Sequence, residues 1–299
     1  MAGIYIHIPF CKQACHYCNF HFATSLHHKN DLMTVILKEV VLQKEFLAAD
    51  PVETIYIGGG TPSLLDNKEI ALLIDRIKSV FGPVADAEIT LEANPDDIAE
   101  EKLDGWRNAG INRLSIGVQS FFDEDLKWMN RVHSRQQAMD SLLSAKKYFD
   151  NLTIDLIYGT PHMTHEKWEQ NVHTVFSLNI PHLSCYALTV EQKTPLQKMI
   201  NNRQSENIDP DKQSEQLLLL MKWAEESGYE HYEISNFCKP GWRSRHNSSY
   251  WKGKKYLGIG PSAHSYNGTE RQWNISNNQQ YIESIKMGYI PFEKEILTP

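Results

Sequence analysis

The chain has 299 residues, 41% of them hydrophobic and 22% charged, with a formal net charge of −7. That length suits one large domain or two modest ones, and the composition is that of a globular protein, not a disordered or fibrous one. There is no basic run beyond the short Trp251–Tyr256 segment and no stretch near the roughly 18 apolar residues of a membrane span, which argues against nucleic acid as a partner and against a helical membrane protein.

Apolar, β-rich runs alternate with helical patterns along the chain. Gly3–Pro9 predicts a strand and lacks the basic segment and apolar run of a secretory signal, so the protein is expected in the cytoplasm. Asp31–Ala49 predicts a helix with Val35, Leu42 and Phe46 among its apolar positions. Thr54–Gly59 predicts a second strand. A helix from Asp66 to Phe81 follows, opened by a capping pair of Asp66 and Glu69 and closed by Gly82–Pro83. Further strands are expected at Glu88–Asn94, Asn112–Ser120, Leu152–Gly159 and Leu183–Val190. Helices are expected up to Asn108, over Glu124–Asn130, Arg135–Phe149 and His165–Leu178, and around Lys212–Ser227.

Six strand–helix units without hairpin signals between them predict a parallel α/β sheet, either an open doubly wound sheet or a partial barrel. After Asn236 the texture changes. Cys238–Gly268 is rich in Gly, Ser, Trp and Tyr and reads as ordered loops with short strands, followed by a helix over Asn278–Met287. The expected division is therefore a core of residues 1–237 and an extension of 238–299.

Three of the five cysteines, Cys11, Cys15 and Cys18, fall within eight residues of "HIPFCKQACHYCNF". In a reducing compartment such a cluster binds metal or does redox work more often than it forms disulfides. Zinc, with His16 or His21 as fourth ligand, is one reading. A four-iron cluster held by three thiolates is the other; its fourth iron then stays free to bind a small molecule. Cys185 and Cys238 lie far from this loop and read as small core or loop residues. Gly58-Gly59-Gly60-Thr61-Pro62 follows the second strand; it reads as a tight turn, or as backbone that approaches a ligand closely. Glu92, Gln119 and Asp155 sit on otherwise apolar strands, with Arg131 in the helix after the fourth, and a buried polar group needs a partner.

The Cys11, Cys15, Cys18 spacing, with Tyr17 before the third, resembles the signature of radical S-adenosylmethionine (SAM) enzymes. The resemblance implies a partial (β/α)6 TIM-type barrel with its site at the C-terminal ends of the strands. It implies a four-iron, four-sulfur (4Fe-4S) cluster on the three cysteines. The free iron would bind SAM, and one electron would cleave it to methionine and a 5′-deoxyadenosyl radical. "LEANP", "GVQS", "MNRVH" and "DLIYGTP" resemble one branch of that family, which contains oxygen-independent coproporphyrinogen III dehydrogenase and HemW-type haem chaperones.

By that resemblance Tyr5, Tyr17, Gly59, Gly60, Thr61 and Glu92 contact the SAM on the cluster. Gln119, Arg131 and Asp155 match positions that hold a second SAM in the dehydrogenase, so one or two SAM molecules are expected. His264, in "PSAHS", lies in a segment that reaches the SAM site in relatives. The dehydrogenase has a fourth cysteine two residues after the third and an N-terminal extension. Here Phe20 takes that position and Tyr5 stands near the start, features that resemble the haem-chaperone group.

"RHNSSYW" resembles the H-N-x-x-Y-W segment of that group and makes His246 a candidate haem contact, with Trp242, Tyr250 and Trp251 as candidate stacking partners. The expected function is a haem chaperone, with the dehydrogenase as the enzyme alternative. The expected partners are haem or a porphyrinogen, a flavodoxin- or ferredoxin-type electron donor, and haem-accepting proteins, through which any membrane contact would come. Members of this branch continue into a small helical domain after a segment like "EILTP"; that domain is expected to be missing here.

Overall fold

The computed structural model describes residues 2–48 and 50–297. Six strands lie side by side in chain order: β1 (Ala2–Ile8), β2 (Val52–Gly59), β3 (Glu88–Ala93), β4 (Arg113–Gln119), β5 (Leu152–Tyr158) and β6 (His182–Ala187). All are parallel. Parallel strands need long crossovers, and helices supply them here: α1 (Lys29–Leu42), α2 (Asn67–Phe81), α3 (Glu100–Ala109), α4 (Asp123–Trp128), α5 (Arg135–Ala145) and α6 (His165–Ser177). The strands read as near-continuous apolar runs because both faces are covered; Ile57, Leu91, Ile116 and Ile154 have no exposed surface. Each such side chain contributes about 1.5–3 kcal/mol by leaving water.

α2 starts where the sequence places it. Asp66 accepts from the Glu69 N–H at 2.8 Å, and Glu69 accepts in return from the Asp66 N–H at 2.8 Å. α1 is shorter than its periodicity predicts. After Leu42 the N–H groups of Lys44, Phe46 and Ala48 bond carbonyls three residues back, which tightens the chain into turns, while Leu47 stays buried and prolongs the apolar pattern. The last residue of the predicted helix, Ala49, lies outside the described residues.

Beyond β6 come α7 (Pro195–Asn201) and α8 (Pro210–Glu226), then β7 (Glu230–His231) and β8 (Asn236–Cys238); β8 pairs antiparallel with β6 and β7 antiparallel with β8, which extends the sheet. The rest of the chain returns to the opposite flank. α9 (Arg245–Trp251) leads into β9 (Lys255–Ile259), which pairs in parallel with β1. β10 (His264–Tyr266), β11 (Glu270–Asn274), α10 (Asn278–Met287) and β12 (Phe292–Ile296) complete a twelve-stranded sheet that runs from β12 to β7. The expected boundary at 237/238 falls inside β8.

Glu39 of α1 ties this returning segment down. Fully buried, it accepts from the Gly260 N–H at 2.8 Å, from Asn274 Nδ2 at 2.7 Å and from the Tyr281 hydroxyl. Desolvation by burial pushes its carboxyl up to about 7 against those three bonds.

α9 departs from the loop expected for 238–268. Ser244 caps it by accepting from the Asn247 N–H at 3.2 Å, and Glu88 of β3 accepts the free N–H groups of Arg245 and His246 at 3.0 Å each. That second cap comes from a residue over 150 positions away, so the local sequence does not announce it.

Candidate functional site

The C-terminal ends of β2–β6 and the loop after β1 enclose a cavity of about 440 Å³. The cysteine loop is its lid. At its base, Cys11 N–H donates to the Ala23 carbonyl at 3.1 Å and Ala23 N–H to Pro9 at 2.8 Å. At its far side the loop is sewn to the α4–α5 connection: His16 N–H donates to Met129 at 3.1 Å, and Asn130 Nδ2 donates to Ala14 at 2.7 Å. Cys11, Cys15 and Cys18 all line the cavity, half-buried, with no disulfide. Thr61 Oγ1 donates to Cys11 Sγ at 3.5 Å, and Arg131 Nη1 to Cys15 Sγ at 3.4 Å. Burial pushes the Cys11 thiol up to about 11 and the Cys18 thiol upward as well.

Each histidine named as a fourth ligand for zinc has one ring nitrogen bonded within the fold. His16 Nδ1 bonds the Trp128 carbonyl at 2.7 Å, and His21 Nε2 bonds Asn278 Oδ1 at 2.7 Å. Among the described residues, no three His, Cys, Asp or Glu side chains gather tightly enough to hold a single metal ion.

The opposite wall is polar. Glu92 accepts from the Tyr56 hydroxyl at 2.8 Å and from the Gly59 N–H at 3.1 Å; burial pushes its carboxyl up to about 7, with Asp155 adding in the same sense. Ser115 stands 3.3 Å from both oxygens of Asp155, whose carboxyl burial pushes up to about 6. Arg131 Nη2 donates to Asn94 Oδ1 and to the Gly117 carbonyl, each at 2.7 Å.

Gly59 has φ +111°, and a Cβ on Gly60 would stand 2.6 Å from the Phe10 carbonyl oxygen, so this turn needs glycine on steric grounds. The β4–β5 register slips between Gly117 and Gln119, and Gln119 takes φ +70°, a left-handed conformation costly for a residue with a Cβ. Such strain at the rim of a barrel aims a side chain into a site.

Of the residues singled out from sequence, Tyr17, Gly59, Gly60, Thr61, Glu92, Gln119, Arg131 and Asp155 line this cavity with the cysteines. Tyr5 and His264 do not; they line a second cavity of about 520 Å³, which shares Gly59, Glu92, Asn19 and Phe20 with the first. Phe20 is 67% exposed on the shared rim.

His246 lies in neither cavity. It is 1% exposed, with Nδ1 bonded to Thr54 Oγ1 at 2.7 Å and Nε2 to the Tyr250 hydroxyl at 2.9 Å. Both ring nitrogens are hydrogen-bonded inside the fold, near Gly3 of β1 and Thr54 of β2. Tyr250 does line the second cavity. Asn94 was missed in the sequence. It joins Arg131 to Thr61, to which its Nδ2 donates at 3.2 Å, and the signal was its place at the end of the third strand in "LEANP".

Residues 5–175 match the model of the radical SAM superfamily. The chain belongs to that superfamily. It is 36% identical over 295 residues to the heme chaperone HemW of Bacillus subtilis, covering 98% of this chain and 78% of that protein. It is 34% identical over 294 residues to HemW of Mycobacterium tuberculosis, covering 97% and 75%. Within the superfamily it therefore falls in the HemW family. The solved structure of coproporphyrinogen III oxidase (HemN) from Escherichia coli superposes with a TM-score of 0.85 at 26% identity, over 99% of this chain and 72% of that one. The partial barrel expected from the sequence is the fold of these relatives. No helix among the described residues is long and apolar enough to cross a membrane.

The superfamily implies a 4Fe-4S cluster and SAM. The donor set of the first cavity fits both: three soft thiols on one loop, and beside them buried carboxylates, amides and hydroxyls able to bond an amino group and ribose hydroxyls.

Proposed function

We propose that the chain is a haem chaperone that carries its cluster on Cys11, Cys15 and Cys18, binds SAM beside it, takes up haem and passes it to haem-accepting proteins. The observation that carries this reading is the 36% identity to HemW over nearly the full chain, against 26% to HemN.

The cluster, when bound and reduced, supplies an electron to the SAM sulfonium. The chain's own residues bind and orient. Glu92, already an acceptor for Tyr56 and Gly59, takes a hydrogen bond from the methionyl amino group. Gly60 and Thr61 present a close backbone edge, and Thr61 and Arg131 donate to the Cys11 and Cys15 sulfurs that would hold the cluster. Asp155, Ser115 and Gln119 accept from ribose hydroxyls, and Tyr17 closes the lid. Phe20 on the rim offers an apolar face in place of a fourth thiol. Tyr250, Tyr256, Ser262 and His264, from the segment that returns to β1, build the outer wall of the second cavity. A flavodoxin- or ferredoxin-type protein serves as electron donor, in the cytoplasm.

The dehydrogenase reading draws support from the likeness to HemN. One experiment separates the two. Anaerobically reconstituted protein is titrated with haem, mixed with an apo-haem protein, and in parallel incubated with coproporphyrinogen III, SAM and reductant. We expect stoichiometric haem uptake, transfer to the acceptor and no protoporphyrinogen. Turnover of coproporphyrinogen III without haem uptake would overturn the reading.

A further inference from the structure

We propose that Asn130, Asp96 and Asp97 are positioning residues for the cluster: they hold the three residues between Cys11 and Cys15 in a set shape before any iron arrives, and the charges of Lys12 and its two aspartates tune the cluster's reduction potential. This rests on the reading that Cys11, Cys15 and Cys18 carry an iron–sulfur cluster. Each spacer residue is tied down. Lys12 Nζ pairs with Asp96 Oδ2 at 2.6 Å and with Asp97 Oδ1. Gln13 Nε2 donates to Asn130 Oδ1 at 2.6 Å and to the Asn130 carbonyl at 3.0 Å. The Ala14 carbonyl accepts from Asn130 Nδ2 at 2.7 Å. The anchors belong to two different walls. Asp96 and Asp97 lie in the turn Pro95–Asp97 after β3, and Asn130 lies between α4 and α5.

The anchors are themselves fixed. Asn130 holds φ +60°, a left-handed backbone that asparagine tolerates better than most residues with a Cβ. From that conformation one residue meets Gln13 with two oxygens and Ala14 with a nitrogen. Asp97 is held from behind by Ser63 Oγ, which donates to it at 2.7 Å. The Asp96 and Asp97 side chains are 7% and 3% exposed, so Lys12 supplies the counter-charge that buried carboxylates need. A loop that the metal must order spends binding free energy on its own entropy; a loop already in shape keeps it. Outer partners of metal ligands typically contribute about 10–100-fold in metal affinity. Lys12 also follows Cys11 directly in the chain. One cation against two carboxylates leaves an excess negative charge beside the thiolates, which disfavours adding an electron to the cluster.

The test uses the full chain, both metal-free and anaerobically reconstituted, with three variants. Asn130→Gly keeps the left-handed backbone and the carbonyl that Gln13 bonds, and deletes both side-chain bonds. In the metal-free chain it should speed hydrogen exchange at least tenfold at the His16 and Cys18 amides, which bond Met129 and Cys15 in the resting loop. After reconstitution it should lose iron to a chelator at least tenfold faster than wild type. Lys12→Met removes a positive charge and should lower the cluster's reduction potential, measured by a titration followed by electron paramagnetic resonance. Asp96→Asn removes a negative charge and should raise it. Shifts of opposite sign are the signature of charge; a loop merely loosened by either change would shift both the same way. Wild-type exchange and wild-type iron loss in Asn130→Gly would overturn the inference and leave the cluster reading standing, and so would potentials that move together in Lys12→Met and Asp96→Asn. Failure of the wild type to take up iron and sulfide would overturn both.

Discussion

The guanidinium of Arg131 stands 3.4 Å from Cys15 Sγ while its other nitrogen bonds Asn94 and the Gly117 carbonyl at 2.7 Å. One side chain thus couples the cysteine loop to the ends of β3 and β4. Arg131→Met removes three charge-assisted bonds and leaves Cys15, Asn94 and Gly117 short of a donor. We expect a loss of about 1.5–3 kcal/mol in urea unfolding and less iron bound per chain after reconstitution. A variant with unchanged stability and iron content would refute the coupling.

Glu92 titrates unusually. Burial raises its folded value to about 7 from an ordinary 4.5, so between those values the folded, ligand-free protein binds more protons than the unfolded chain. Stability should therefore be greatest below about pH 4.5 from this group, fall as pH rises, and level off above 7. The full span is about 3 kcal/mol. In Glu92→Gln the amide oxygen still accepts from Gly59, and the Tyr56 hydroxyl can turn to accept from the amide nitrogen. Urea midpoints between pH 5 and 8 should then be flatter for Glu92→Gln than for wild type, and SAM affinity should fall at least tenfold. Parallel pH curves would contradict the assignment. Asp155, raised to about 6, adds a slope of the same sign in both proteins.

Gln119 holds a left-handed backbone, φ +70°, at the rim of the site. Glycine relieves about 1–2 kcal/mol of that strain but adds entropy to the unfolded chain. Gln119→Gly should leave stability unchanged or raise it by up to about 1 kcal/mol while weakening SAM binding. A destabilisation of 2 kcal/mol measured by urea unfolding would show that the side chain serves the fold instead.

His246 fills the space under Gly3, where a Cβ would stand 3.1 Å from its ring. Burial holds it neutral, with its value down near 3. His246→Ala opens a cavity and strips Thr54 and Tyr250 of a partner. We expect about 2–4 kcal/mol of lost stability in urea unfolding, with iron content per folded molecule intact. Unaltered stability would show that its hydrogen bonds do not support the core.

The six strand–helix units could be read in the sequence because each parallel strand is an apolar run and each crossover helix carries its own period or cap, as Asp66 and Glu69 show. The cysteine loop was legible for a similar local reason: three thiols within eight residues. What stayed hidden depends on distant pairings. β9 joins β1 across some 250 residues, and that pairing brings Tyr256 of β9 to the outer wall of the second cavity. α9 is capped by Glu88, so its histidine looked like a loop residue open to a ligand when it is a core residue. Two local signals went unread: Thr194-Pro195 opens α7, with Thr194 accepting from the Gln197 N–H, and Asn267-Gly268 turns the β10–β11 hairpin.

The claim on which the rest depends is that Cys11, Cys15 and Cys18 grip an iron–sulfur cluster with one iron open to SAM. Its most direct test is the electron paramagnetic resonance spectrum of the reduced, anaerobically reconstituted protein before and after SAM is added, with iron and sulfide counted on the same sample. The account predicts about four iron and four sulfide per chain and a spectrum that shifts with SAM. Cys15→Ser should lose both, and Cys185→Ala should lose neither. Tightly held zinc, or a cluster whose spectrum ignores SAM, would contradict it.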